Sequence, residues 1–370
     1  MPDRRPLTIG IDARAAKEVP AGRGRVVREL LNALAERDDR YSYRLYCREA
    51  ADLPLDSRFA WERVRLPDPL WHAATAWRAT RACDVFLSTN SYLTLWMLRV
   101  PAAAIVHDMI AFVHPDEAQR RAQRIERATL GPAVRRAAVL LCNSQATRDD
   151  LVELLPEAAA KSQVIPFAAH PRFARPTPPA ERDAVRRRLD LPTSFVLSVG
   201  TVEPRKNLAR RVEAYVRLPE ALRREHPLVV AGPPGWEMEG LLAKLTANPR
   251  DVRVIGFVAD EDLAALYGMC TAFCYPSLYE GFGLPVLEAM QAGAPTITSD
   301  GSSLPEVGGD AAVYVDPRRV ESIEAGLREV LESEPLRERL RRAGRERAAG
   351  YSWDRAAAEM LAVLERISRS

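Results

Sequence analysis

Short apolar runs recur along the chain, and most are followed by a longer stretch whose apolar positions return every three or four residues. The short runs predict strands at 7–11, 43–47, 85–88, 102–106, 139–142 and 163–165 in the first half. In the second half they predict strands at 194–199, 228–231, 252–255, 272–275, 296–299 and 312–315. The amphipathic stretches predict helices at 25–36, 120–136 and 144–155, then at 208–217, 238–247, 261–269, 284–292 and 320–333, with a last helix over 352–370. Regular alternation of strand and helix predicts parallel sheets with crossover helices, an α/β class.

Two such sheets are expected. A chain of 370 residues, 47% hydrophobic, exceeds one ordinary core. The proline-rich stretch at 171–179 can continue neither a helix nor a central strand and reads as a stiff linker. It separates an N-terminal domain at 1–170 from a C-terminal domain at 180–350, leaving 351–370 as a helix returning toward the first domain. Each domain reads as a doubly wound, Rossmann-like sheet, and the carboxyl ends of their strands are expected to face across a deep cleft. Net charge is only +3, which argues against a general nucleic-acid binder. The five cysteines show no zinc-finger spacing and read as free core thiols in a reducing compartment. No signal peptide and no bilayer-spanning run is visible, so a cytoplasmic location is expected. Within 70–100, Trp71, Trp77, Trp96 and Met97 mix with arginines, which leaves open either contact with a membrane interface or core packing.

The most specific chemistry lies in Tyr279-Glu280-Gly281-Phe282-Gly283-Leu284-Pro285-Val286-Leu287-Glu288. A glycine turn opens a helix there, Pro285 suits its first position, and helix N-termini favour anions such as phosphate. Carboxylates would repel that anion, so Glu280 and Glu288 are expected to face hydrogen-bond donors such as sugar hydroxyls. Arg205 and Lys206 follow another strand and precede a helix with Asn207 as its expected N-cap. Two adjacent cations suit a diphosphate, the alternative being a solvated basic pair. His107 and Asp108 close a strand in the first half, and Ser144 reads as a helix cap. Gly22-Arg23-Gly24 lacks the spacing of a dinucleotide fingerprint. Asp260-Glu261-Asp262 formally matches a metal-binding Asp-x-Asp pattern but reads better as the acidic first turn of a helix. No metal site is expected.

These residues resemble the retaining glycosyltransferases of the large family four, which have the GT-B fold. The matching segments are Ser198-Val199-Gly200-Thr201 with Pro204-Arg205-Lys206-Asn207, Gly232-Pro233, Val254-Ile255-Gly256-Phe257-Val258, Glu280 through Ala289, and Pro305-Glu306-Val307. The family's glutamate pair with seven residues between is diagnostic. The resemblance implies that Glu280 and the N–H groups around Gly281, Phe282 and Gly283 hold the donor sugar, with Gly283 and Leu284 near the diphosphate. It implies that Glu288 takes the ribose, Arg205 and Lys206 neutralise the diphosphate, and Gly256, Phe257 and Val258 present backbone groups to the base. It sets His107 beside the donor sugar and Gly22 and Gly24 in a donor-binding loop. At that loop the family carries a second apolar residue and a following aromatic where this chain has Arg23 and Val26.

The resemblance thus implies transfer of a sugar from a nucleoside-diphosphate donor to a hydroxyl of a glycan or lipid-linked glycan. GDP-mannose is favoured, as in bacterial mannosyltransferases of polysaccharide and O-antigen synthesis. No cofactor or metal is implied, the mechanism is front-face substitution with retention, and peripheral contact with the inner face of the membrane is left open. A nucleotide-sugar epimerase or hydrolase on the same fold, or a non-catalytic nucleotide- or glycan-binding protein, are the alternatives.

Overall fold

A computed structural model describes residues 6–20, 22–37, 40–233 and 251–369. The chain divides into two compact units. The first comprises the residues through Pro115, Arg120–Phe167 and the segment from Ser352. The second comprises Asp116–Gln119 and Ala168–Tyr351.

The first unit is built on seven parallel strands: β1 (Thr8–Asp12), β2 (Ser42–Cys47), β3 (Phe59–Arg63), β4 (Val85–Ser88), β5 (Ala102–Val106), β6 (Val139–Cys142) and β7 (Ser162–Val164). Their order in the sheet is β3-β2-β1-β4-β5-β6-β7. Every residue of β4, β5 and β6 is buried, as expected of central parallel strands covered by helices on both faces. The edge strand β3 escaped the sequence reading because only Phe59 of its five residues is buried, so it carries no apolar run. The helix Leu70–Ala82 was also missed, its apolar face interrupted by Thr75 and His72. Ser144 caps the helix Gln145–Leu154 by accepting from the Thr147 N–H at 3.0 Å. The C-terminal helix Trp353–Ser368 packs on the helix Arg23–Ala35 and on β4 and β5.

The second unit holds β8 (Val196–Val199), β9 (Leu228–Ala231), β10 (Val252–Gly256), β11 (Ala272–Tyr275), β12 (Thr296–Ser299) and β13 (Ala312–Val315), all parallel, in the order β10-β9-β8-β11-β12-β13. Renumbered from its own first strand this is 3-2-1-4-5-6, the doubly wound order in which ligands bind where the winding reverses. The reversal falls between β8 and β11. The expected helix at 238–247 lies outside the described residues. Helices Pro179–Arg188 and Glu334–Ala349 were not foreseen; both are dominated by charge, with one and three buried residues respectively.

The proline-rich stretch is seated within the second unit. Pro171–Ala174 forms a 3-10 turn whose Phe173 is 2% exposed and meets the Tyr267 ring edge-on at 5.8 Å. Pro179 then opens the helix Pro179–Arg188, so the stretch is a folded connection anchored by an aromatic rather than a bare spacer. All five cysteines are buried and unpaired.

The tryptophan-rich stretch separates by residue. Trp71 is fully buried beneath the Arg14 guanidinium at 4.0 Å, whereas Trp77 and Trp96 are 58% and 41% exposed. No helix among the described residues is long and apolar enough to cross a membrane.

Candidate active site

At the carboxyl ends of β8 and β11, the loops Gly200–Asn207 and Pro276–Gly283 converge. Glu280 lies between them, 7% exposed. Its Oε2 accepts from Arg205 Nη1 at 2.7 Å. Its Oε1 accepts from Lys206 Nζ at 2.6 Å and from the Tyr275 and Ser277 hydroxyls at 2.7 Å each. Burial works to raise the Glu280 pKa, but Arg205 and Lys206 overcome it and hold the group down to about 2. Lys206 is pushed down from the ordinary lysine value by burial and by Arg205, against the pull of Glu280. Glu203 accepts from the other face of Arg205, at 2.7 Å from Nη2.

The predicted donors to Glu280 are therefore present, but the chain itself supplies them. With Glu203 and Glu280 against Arg205 and Lys206, the four charges cancel. The extra cation is Arg211, which the sequence reading missed. It is 2% exposed and donates through Nη2 to the Lys206 carbonyl and through Nη1 to the Ser198 hydroxyl. A signal was available: Leu208, Arg211 and Tyr215 share one buried helical face.

Asn207 departs from its expected capping role. It is left-handed, at φ +57°, and its side-chain amide braces the two loops by donating to the carbonyls of Pro276 at 2.9 Å and Pro317 at 2.6 Å. The Glu280 turn is pinned from β12 onward. Ser302 accepts from the Glu280 N–H at 3.1 Å, and the Ser303 hydroxyl lies 2.9 Å from the Glu280 carbonyl and 2.7 Å from that of Phe282.

Gly281, Phe282 and Gly283 lead directly from Glu280 into the helix Leu284–Ala292. Gly283, at φ +106°, stands at its N-cap, and Pro285 is the second rather than the first helical residue. Phe282 is buried against Tyr351, edge-on at 5.9 Å. Glu288 sits one turn further along the same helix, 1% exposed, with the Tyr267 hydroxyl donating at 3.3 Å. Gly256, at φ +71°, ends the edge strand β10, followed by Phe257, 65% exposed, and Val258. That turn is separated from β8 by β9. Of the acidic triplet, Glu261 pairs with Arg172 at 3.2 Å and Asp262 with Arg188. Among the described residues no cluster of three His, Cys, Asp or Glu could hold a metal.

The remaining expected residues belong to the first unit. His107 follows β5, and its Nε2–H donates to the Thr89 carbonyl at 2.6 Å. Thr89 follows β4 and in turn bonds the Asp12 carbonyl at the end of β1, so His107, at the end of the next strand, is tied to the loop where this sheet reverses its winding. Burial, then Arg23, lower its pKa to about 4. Gly22 is the N-cap of the helix Arg23–Ala35, at φ +54°. Gly24 is a packing residue: a Cβ there would sit 1.8 Å from the Val19 carbonyl oxygen.

His72, 4% exposed, is likewise lowered to about 4, chiefly by burial. Both imidazoles have folded pKa values below the unfolded value of about 6.5. Below that value the unfolded chain takes up the protons first, so the stability the two groups confer at neutral pH is lost as pH falls from 6.5 toward 4. Between pH 7 and 5 each histidine is expected to lower the stability of the first unit by about 1 kcal/mol or more. Urea titrations across that range would show it, and a flat profile would contradict two buried neutral imidazoles.

Residues 20–171 match the family model Glycosyltransferase Family 4, and residues 181–347 match Glycosyl transferases group 1. The O-antigen chain mannosyltransferase B of Escherichia coli is 34% identical over 273 residues, 73% of this chain and 71% of that protein. The chain belongs to the family-four glycosyltransferases. The Escherichia coli serotype-specific mannosyltransferase WbdA is 35% identical over 59% of this chain, which spans only 27% of that longer protein. Sucrose-phosphate synthase from Thermosynechococcus elongatus shares the GT-B fold, with a TM-score of 0.79 at 19% identity over 98% of this chain and 99% of that one. The glycosyltransferase therefore carries its buried cation–carboxylate cluster at the winding reversal of its second sheet.

Proposed function

We propose that this glycosyltransferase moves mannose from GDP-mannose to a hydroxyl of a glycan or lipid-linked glycan in polysaccharide or O-antigen synthesis. The convergence of Arg205 and Lys206 on Glu280, beside the helix that begins at Leu284, carries this reading. In it, Arg205, Lys206 and the N–H groups near Gly283 stabilise charge on the departing diphosphate without a metal. Glu280 orients both cations, and Oε2, which has a lone pair beyond its bond from Arg205, accepts a donor-sugar hydroxyl. Departure and attack occur on one face of the sugar with retention, the leaving phosphate taking the acceptor's proton. His107, neutral above about pH 4, stands at the sugar. Glu288 takes the ribose, and Gly256, Phe257 and Val258 meet the base. The choice of mannose rests on similarity to the two mannosyltransferases. Contact with the inner face of a membrane, through the surface bearing Trp77 and Trp96, belongs to the same proposal.

The purified chain incubated with GDP-mannose should release GDP only when a glycan acceptor is present, and EDTA should leave that rate intact. Release of free sugar without acceptor would support a hydrolase or epimerase instead, and binding without turnover a non-catalytic protein. Glu288→Ala is expected to weaken GDP and GDP-mannose equally, about tenfold or more, because both carry the ribose. Calorimetric titration of the two ligands checks this, and a loss confined to the sugar nucleotide would remove the ribose role.

A further inference from the structure

Among the described residues two arginines are buried, and only one of them has a countercharge. Arg14 lies 3.0 Å from Asp68 and 3.7 Å from Asp12. Two less buried arginines are paired in the same way, Arg23 with Glu126 at 3.2 Å and Arg223 with Asp251 at 2.9 Å. Arg211 instead directs its donors at neutral oxygens, through Nη2 at the Lys206 carbonyl and through Nη1 at the Ser198 hydroxyl, and its buried Nε has no partner among the described residues. The ionisable neighbours that favour its charge are the Cys274 thiol and the Tyr275 phenol. Burial pushes both up, Cys274 to about 11, so neither is charged at neutral pH.

Local structure opposes this guanidinium twice. Burial penalises its charge, and it stands in the first turn of the helix Leu208–Val216, where the dipole favours anions. A charge removed from water is costly unless something neutralises it. The neighbouring cluster shows what would. Glu203 and Glu280 already answer Arg205 and Lys206. Two carboxylates against two cations sum to zero, so these four groups alone offer a diphosphate no net attraction. Arg211 makes the sum +1, and it is bonded to the backbone of Lys206 itself. The protein interior screens far less than water, so its attraction extends beyond direct contact.

We propose that Arg211 is a buried countercharge for the donor's diphosphate, left unpaired by the chain so that the bound nucleotide completes the balance. The role as a diphosphate partner rests on the donor-site reading; the missing countercharge rests on the geometry alone. Arg211 differs from Lys206 in what it controls. Its attraction acts on the bound donor and on released GDP alike, so it governs how tightly the nucleotide is held.

Calorimetric titration of the full chain with GDP and with inorganic pyrophosphate, and saturation-transfer NMR with guanosine, test this. Arg211→Met and Arg211→Gln remove the charge. Both are expected to weaken GDP and pyrophosphate by about tenfold or more and to leave guanosine within about twofold. Arg211→Lys, which keeps a cation at pH 6.5 without the planar fork, should hold GDP within about threefold of the unaltered chain. None of the three strands a carboxylate, so the melting temperature should stay within about 4 °C. Glutamine keeps a donor for the Lys206 carbonyl, and it decides the matter should the methionine variant fail to fold. GDP affinity within about threefold in the neutral variants would overturn the proposal. So would a loss in Arg211→Lys equal to theirs, or a parallel loss of guanosine, since either marks a brace for the loop rather than a countercharge. Pyrophosphate binding that depends on Arg211, without GDP binding, would uphold the countercharge and remove the guanine reading. Binding of neither ligand to the unaltered chain would overturn both.

Discussion

Lys206→Ala is expected to keep the fold and to lower kcat by roughly 10²–10³, the usual effect of removing one preorganised partner of developing charge. The side chain is 13% exposed, and its ammonium serves one residue above all, Glu280, with Tyr275 beside it. Removing it does not strand the carboxylate, because Arg205, Tyr275 and Ser277 still donate. The penalty for an unpaired buried charge is therefore largely avoided, and the melting temperature should shift little. The loss should appear in kcat more than in donor affinity, because charge on the diphosphate grows as the bond to the sugar breaks. Lys206→Arg should not restore the rate: a planar fork cannot place a point charge between Tyr275 and Glu280. Steady-state kinetics with circular dichroism as a control decides the matter. A kcat within threefold of the unaltered chain would remove Lys206 from the leaving-group role.

This cluster also shows where sequence reading stops. The parallel strands were legible because most are buried throughout: β5, β6, β9 and β11 read as uninterrupted apolar runs and β4 breaks only at Ser88, whereas β12 is buried but apolar only at Ile297. Arg205, Lys206 and Glu280 were legible as candidates from local spacing. That Glu280 meets the two cations was not, since the ion pairs span 74 and 75 residues and depend on which strands become neighbours. Arg23 and Glu126 are likewise 103 residues apart. Asn207 was misread because a good capping residue before a helix is a local rule, and the pull of two carbonyls from other loops overrode it. The edge strand β3 and the charged helix Glu334–Ala349 bury too little to leave a periodic trace. Sequence pattern reports what is buried along one element. It is silent on which elements meet, and the chemistry of this site lies in those meetings.

Gly232→Ala tests the scaffold on which the cations rest, and it is expected to destabilise the second unit by about 3 kcal/mol or more. The carboxyl ends of β8, β9 and β10 each close on a glycine: Gly200 at φ +132°, Gly232 at φ +154° and Gly256 at φ +71°. The Gly200 N–H donates to the Ala231 carbonyl at 2.9 Å, and the Gly232 N–H to the Gly256 carbonyl at 2.7 Å, so the three turns are laced side by side. A Cβ on Gly232 would lie 2.0 Å from the Gly200 carbonyl oxygen and 2.6 Å from its carbon. Both are backbone atoms of the strand end that leads to Arg205 and Lys206, so no side chain can yield, and relief requires the turn itself to move. Gly256→Ala is the matched control. Among the described residues a Cβ there meets nothing within 4 Å, leaving only the strain of a left-handed residue, ~1–2 kcal/mol. Urea unfolding followed at a probe in the second unit should separate the two variants clearly. Gly232→Ala should also lose GDP affinity before the sheet unfolds, because the displaced turn carries the cations with it. Equal stability of the two variants would mean that the β8 and β9 turns are not in close backbone contact, and the placement of Arg205 and Lys206 would fall with it.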